Sequence, residues 1–247
     1  MDNLIFTNKL PSLSTGYYDN FTPDAFFNIL NEKDRKYMTK LYKPDLNYSM
    51  TVWLKEGESK IPIGHSKASN YFDVLKSFED KLVELPIEMK NNFWFKTTYY
   101  CSYIYFKSFI ERNNIDINDV FHNSGLFIVP RFRKQGIATK LIQKRSSYFS
   151  NKVMLCFTVS SNAHKVFQNC GWINIAYVDY NSLFNHFRLE NNLCQEKTSL
   201  LSNDRLNLWI YVGNNIRNKY NLSDLDDLDD LGNLTDLTDN IINFNLV

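Results

Sequence analysis

Apolar positions along this chain change phase every ten residues or so, and the phase changes mark out its elements. Residues 23–42 read as a helix with Phe26, Phe27, Leu30 and Tyr37 as its apolar contacts. Met50–Leu54 and Ile61–Ile63 read as two strands around the polar turn Lys55-Glu56-Gly57-Glu58, which predicts a hairpin. Phe72, Leu75, Phe78 and Leu82 have helical spacing, and Pro86 ends that helix. The stretch Phe93–Ile110 is crowded with aromatics, among them Phe93, Trp94, Tyr99, Tyr103, Phe106 and Phe109. It suits a buried helix with a flanking loop better than the wall of an aromatic substrate pocket, because aromatics dominate ordinary cores.

The second half is more regular. Gly125–Val129 and Val153–Val159 are short continuous apolar runs, the pattern of strands buried on both faces. Between them a helix starts at Gly136, with Ala138, Leu141, Ile142, Tyr148 and Phe149 on its apolar face. Asn162–Cys170 is a second amphipathic helix, with Ala163, Val166, Phe167 and Cys170 in line. Ser160 or Ser161 caps its start and Gly171 its end. Trp172–Tyr180 and Leu206–Val212 read as two final strands. The alternation predicts an α/β fold, a mixed central sheet flanked by helices.

From residue 219 the character changes. Leucine recurs at 222, 225, 228, 231, 234 and 237 with Asp and Thr between. A period of three drifts around a helix and builds no stable stripe. Residues 1–218 are therefore expected to form the domain and 219–247 a disordered acidic low-complexity tail. Net charge is +1, and 219–247 hold seven Asp and one Lys, leaving the body at +7. That suits a polyanionic small ligand and is too scattered for nucleic acid. The four cysteines form no CxxC pair, so no metal centre is expected, and Cys156 and Cys170 read as small buried hydrophobes. The chain shows neither a signal peptide nor an apolar run long enough to span a bilayer. A cytoplasmic protein, monomer or homodimer, with no membrane partner is expected.

Chemistry concentrates in Leu126-Phe127-Ile128-Val129-Pro130-Arg131-Phe132-Arg133-Lys134-Gln135-Gly136-Ile137-Ala138-Thr139-Lys140-Leu141. A buried strand, a basic loop and a helix start point backbone N–H groups and the helix dipole at one place, which favours a phosphate. Gly136 lets the ligand approach the backbone without a Cβ between. Taken alone, the segment reads equally well as an ordinary connection with a solvated basic loop.

The pattern Arg133-x-x-Gly136-x-Ala138, behind a strand and Pro130, resembles the pyrophosphate-binding motif of the GNAT superfamily of N-acetyltransferases. Val153–Thr158 followed by a helix ending Cys170-Gly171-Trp172 is similar to that family's next strand and helix, which closes with Gly-Phe. The resemblance covers residues 118–180; before that only the order of elements fits. Within the superfamily the chain is similar to arylalkylamine N-acetyltransferases, in the stretch Ile115-Asp116-Ile117-Asn118-Asp119 and in Tyr177-Val178-Asp179-Tyr180. It lacks their N-terminal Asp/Glu-Pro.

The resemblance implies a GNAT fold with a splayed parallel strand pair for acetyl-CoA, the cosubstrate. It implies contacts to that molecule from Ile128, Val129, Arg133, Lys134, Gln135, Gly136, Ile137, Ala138 and Thr139, with Ser160 and Lys165 on the second helix. Free N–H groups near Ile128 and Val129 would stabilise the thioester oxygen as it turns negative. His122 is the expected base, with Asp119, His65 and Glu32 as alternatives. Where many relatives carry a proton-donating Tyr, this chain has Phe167; Tyr177 is the substitute. His164 reads as an exposed helix residue near a phosphate. The serines of the arylalkylamine enzymes fall at Val159 and Ala163, beside Ser160 and Ser161. The expected activity is acetyl transfer from acetyl-CoA to a primary amine, a small arylalkylamine. The rivals are a CoA-binding protein without turnover and a protein or peptide N-acetyltransferase.

Overall fold

In the computed structural model the structure describes residues 3–11, 47–84, 105–158, 160–179 and 205–222. The helix expected over 23–42, Glu32, Pro86, the aromatics 93–104, Cys101, Cys194 and the tail beyond 222 lie outside the described residues.

Among the described residues seven strands form one sheet: β1 (Leu4–Thr7), β2 (Met50–Glu56), β3 (Ser59–Asn70), β4 (Val120–Ile128), β5 (Val153–Thr158), β6 (Ile173–Asp179) and β7 (Arg205–Val212). Their order across the sheet is β1-β2-β3-β4-β5-β7-β6. Every neighbour pair is antiparallel except β4–β5, which is parallel. The described helices are α1 (Tyr71–Glu84), α2 (Phe106–Arg112), α3 (Ile137–Ser146), α4 (Ser161–Asn169) and α5 (Asn214–Tyr220). This is the mixed α/β architecture expected from the sequence. The β2–β3 hairpin turns where Lys55–Glu58 predicts, but β3 runs on to Asn70, because its later residues alternate Ser, Lys and His with small side chains and leave no apolar signature.

The core lies between the sheet and α3/α4. Phe121, Ile142, Phe149, Met154, Cys156, Phe167, Trp172 and Trp209 pack as one cluster. Val52, Ile63, Ile128, Ile137 and Leu141 form a second beside it. Tyr148, expected on the apolar face of α3, is 55% exposed, because the helix ends at Ser146 and a 3-10 turn over Ser147–Phe149 swings it outward. Cys156 is buried, whereas Cys170 is only partly so.

One irregularity in β4 decides the rest. Lys67 stands opposite Gly125 and Ala68 opposite Asn123, so Ser124 is an extra residue, a β-bulge. The bulge resets the side-chain phase. Phe121 and Asn123 before it, and Leu126 and Ile128 after it, all face α3 and α4. His122 faces the other side, against Phe106 of α2 and Phe157.

The sequence places the domain's end at 218, but α5 runs through it. Tyr220 donates its hydroxyl proton to Asp119 at 2.9 Å, and Leu222 is buried. The periodicity hides α5 because it buries only Ile216.

Candidate active site

The parallel pair is short. Ladder partners are Val120 with Val153, Phe121 with Met154 and His122 with Leu155, and there pairing stops. β4 continues six residues beyond His122 and β5 three beyond Leu155, with no strand between them among the described residues. β4 stays bonded to β3 and β5 to β7, so a cleft opens between them.

Which amides face that cleft follows from the ladder. Val129 N–H donates to the Ile63 carbonyl at 2.9 Å, toward β3. In an antiparallel pair bonded and non-bonded rows alternate, so Ile128, opposite Gly64, turns its N–H and carbonyl away from β3 and toward the cleft. This corrects one expectation: the Val129 amide is consumed by the sheet, and the cleft-facing amide is that of Ile128. Gly64 is what allows this close row. A Cβ there would meet the Phe127 oxygen at 2.8 Å and collide with the Ile128 side chain.

The loop closes back on the strand. Arg133 Nε donates to the Ile128 carbonyl at 2.9 Å, with its guanidinium 5.8 Å from the Phe127 ring centre. Arg133, expected to be a phosphate contact, thus braces the loop. Lys134 (φ 60°) and Gly136 (φ 71°) both take the left-handed conformation. Such residues beside right-handed ones curl successive N–H groups into an anion-binding concavity. Gly136 is the N-cap of α3 and supplies no side chain, so the first-turn amides of Ile137, Ala138 and Thr139 have no cap. A Cβ at Gly136 would meet nothing within 4 Å, so the space over the helix start is open. Arg131, Lys134 and Lys140 are exposed around it. These residues fit a pyrophosphate. Gln135 and Ile137 also line a cleft of about 220 Å³ with Leu4, Leu54, Ile63 and Phe132, on the β1–β3 side of the loop.

At the other wall, Ser160 caps α4 by accepting from the Ala163 N–H at 3.2 Å, so its hydroxyl already has a structural task. Lys165 is exposed on α4. His164, expected to be exposed, is half-buried: its Nε2 lies 3.2 Å from the Thr158 carbonyl and the Asn207 amide reaches the ring. Burial lowers its pKa. Phe167 is 1% exposed, 4.6 Å ring to ring from Trp172.

The proton-transfer candidates are scattered. His122 sits at the vertex of the cleft, 2% exposed, and burial pushes its imidazole down to about 3. Tyr177 stands opposite Asn207 on β7, whose amide meets His164 of α4. Directly paired residues share a face, so Tyr177 lies on the α4 side and His122 on the α2 side; the sheet separates them. His65 is buried against Phe127, and burial together with Lys67 lowers it to about 3. Asp119 is bound to Lys152 at 2.8 Å and Lys219 at 2.6 Å. Burial raises its pKa, but hydrogen bonds from Lys152, Lys219 and Tyr220 outweigh that and bring it to about 2. It anchors the fold and is no base.

Residues 100–190 match the family model described as an acetyltransferase (GNAT) domain. Over those residues the chain is similar to GNAT acetyltransferase domains. The acyltransferases are the enzyme class to which that family model belongs. No curated protein matches the chain. Among solved structures it is similar to arylalkylamine N-acetyltransferase 2 from Aedes aegypti, at 17% identity and a TM-score of 0.56, covering 85% of this chain and 99% of that one. An agmatine N-acetyltransferase mutant in its apo form has the same coverages at 9% identity and a TM-score of 0.56. A Drosophila melanogaster polyamine N-acetyltransferase, described as forming N-acetylagmatine, follows at 8% identity and 0.52, again over 85% and 99%. At these identities the likeness is one of fold. Among the described residues no helix is long and apolar enough to cross a membrane.

Proposed function

We propose that this GNAT domain transfers the acetyl group of acetyl-CoA to a primary amine of the small arylalkylamine class. The observation that carries the reading is the open β4–β5 cleft, with the Ile128 amide facing it and the uncapped start of α3 at its mouth. The α3 amides, the left-handed Lys134–Gly136 turn and the exposed basic rim bind the pyrophosphate. The Ile128 N–H donates to the thioester oxygen as the amine attacks, a contribution of about 10²–10³ in rate. The nitrogen–carbonyl bond forms, the carbon–sulfur bond breaks, and the thiol leaves as thiolate. With a reference pKa of about 8.5 for a thiol, that group departs without an acid, which is why Phe167 in place of a Tyr is compatible with turnover.

His122 takes a limited part in this scheme. An imidazole held near 3 cannot strip an ammonium of pKa about 10. It accepts the proton only after attack, when the nitrogen has become acidic. The rate should therefore follow the free-amine fraction: kcat/KM rises with pH toward the amine's own pKa, without the inflection near 6.5 of an ordinary histidine base. An inflection there, abolished in His122→Ala, would restore the full base role.

The reading is tested by CoA release from acetyl-CoA against tryptamine, tyramine, spermidine and a short peptide, with Gly136→Glu as control. Turnover with an arylalkylamine, and loss of CoA binding in Gly136→Glu, is the expected result. CoA binding without turnover on any amine would favour the second reading, a non-catalytic CoA-binding protein, which the buried Phe167 and the separation of His122 from Tyr177 support.

A further inference from the structure

Just beyond the last ladder row of β4 and β5 lies a buried polar cluster for which acetyl transfer gives no role. Asn123 Nδ2 donates to Cys156 Sγ at 3.3 Å, across the seam and one row past His122 and Leu155. Ser66 Oγ on β3 donates to Asn123 Oδ1 at 3.0 Å. A single side chain thus ties three strands at the point where two of them part. Behind it, Arg145 of α3 is 1% exposed and donates from Nη1 to the Lys67 carbonyl at 3.0 Å, opposite the bulge. Its Nε and Nη2 have no hydrogen-bond partner among the described residues. A long cation in the last turn of a helix normally extends its head into water. Here it is held inward against the bulged row at a cost in desolvation.

We propose that Asn123, with Cys156 across the seam and Arg145 behind the bulge, is the clamp that fixes how far β4 and β5 diverge and so where the Ile128 amide stands in the cleft. The inference rests on the acyl-transfer reading for its kinetic consequence but not for its geometry. Beyond Asn123, the only strand that β4 pairs with among the described residues is β3, and the only one that β5 pairs with is β7. The angle between them is set by the last contact they share. Asn123 and Cys156 are positioning residues: they touch no reacting atom, and they act through Ile128. The phosphate loop is farther along β4, so nucleotide binding should be insensitive to them.

The test uses the full chain, ¹⁵N-labelled, as wild type, Asn123→Ala, Cys156→Ala, Cys156→Ser and the double alanine variant. Expected are CoA affinity as in wild type for all, and kcat about tenfold to a hundredfold lower in each alanine single, since a small misplacement of a reacting group costs up to about 10²-fold. The double variant should be no slower than either single, because both break the same contact. Cys156→Ser, which keeps an acceptor for the Asn123 amide, should hold the wild-type rate. Faster hydrogen exchange at His122 and Leu155 in Asn123→Ala is the readout that needs no turnover. Unchanged exchange there, additive losses, or Cys156→Ser as slow as Cys156→Ala would overturn the clamp. A wild-type chain that binds no CoA would sink the acyl-transfer reading instead, and the exchange rates would still decide the clamp.

Discussion

The two edges of β4 behave oppositely. Toward β3 it is paired from Phe121 to Ile128, with an interruption only at Ser124. Toward β5 it is paired for three rows and then released. One edge builds a core and the other builds a site, from the same strand and with no change in residue type. A functional amide here needs no special residue, only a row left unbonded on one side. The seam with β5 is also graded along its length. The ion pair of Asp119 and Lys152 stands one residue before the first ladder row, and the Asn123–Cys156 contact one residue after the last.

The contrast can be broken at three places. The largest effect should come from replacing single amides with esters, which removes one N–H and little else. At Ile128 the ester should lower kcat by about 10²–10³ and leave stability nearly intact; at Val129 it should cost about 1 kcal/mol of stability, seen in urea unfolding, with a smaller kinetic effect. Reversed outcomes would mean that the alternation is assigned to the wrong rows. Next, Gly64→Ala puts a Cβ against the Phe127 oxygen and the Ile128 side chain. It should destabilise by about 1–3 kcal/mol through overpacking and lower kcat as β4 shifts. Wild-type stability would show that the row has room to spare. The smallest effect is at the far end of the seam. The Asp119 carboxyl is lowered from 3.8 to about 2. A depressed acid stabilises the fold fully above its unfolded pKa and loses that contribution as pH falls through the folded one. About 1 kcal/mol should therefore disappear between pH ~4 and ~2, and Asp119→Asn should remove that pH dependence. An unchanged acid transition in the variant would rule out the anchor.

What the sequence makes legible is local. The buried runs, the Ser160 cap, the left-handed Gly171 and the strand–loop–helix around Gly136 each have a signal within a few residues, and the fold carries all of them. What it hides depends on partners distant in sequence. The bulge at Ser124 exists only relative to β3, so strict alternation could not tell that Phe121 and Leu126 share a face. The direction of the Val129 amide depends on Ile63. Nothing local marks Arg145 as buried, because a helical wheel cannot show that the last turn of α3 leans over the bulge. The place of His122 at the start of the strand does put it at the vertex; its burial comes from Phe106 and Phe157, which the motif does not contain.

The bulge also determines which errors this strand can absorb. Exchanging one apolar residue for another in Leu126–Val129 leaves the side chains on their faces and the amides on their edges. Deleting one residue beyond the bulge, at position 127, would not. It would move Ile128 into the place of Phe127, turn its side chain from α3 toward the opposite face and put its amide on the β3 edge instead of the cleft. Within this stretch spelling is negotiable and letter count is not, so a lineage of such strands would be expected to drift freely by substitution while tolerating almost no insertion or deletion.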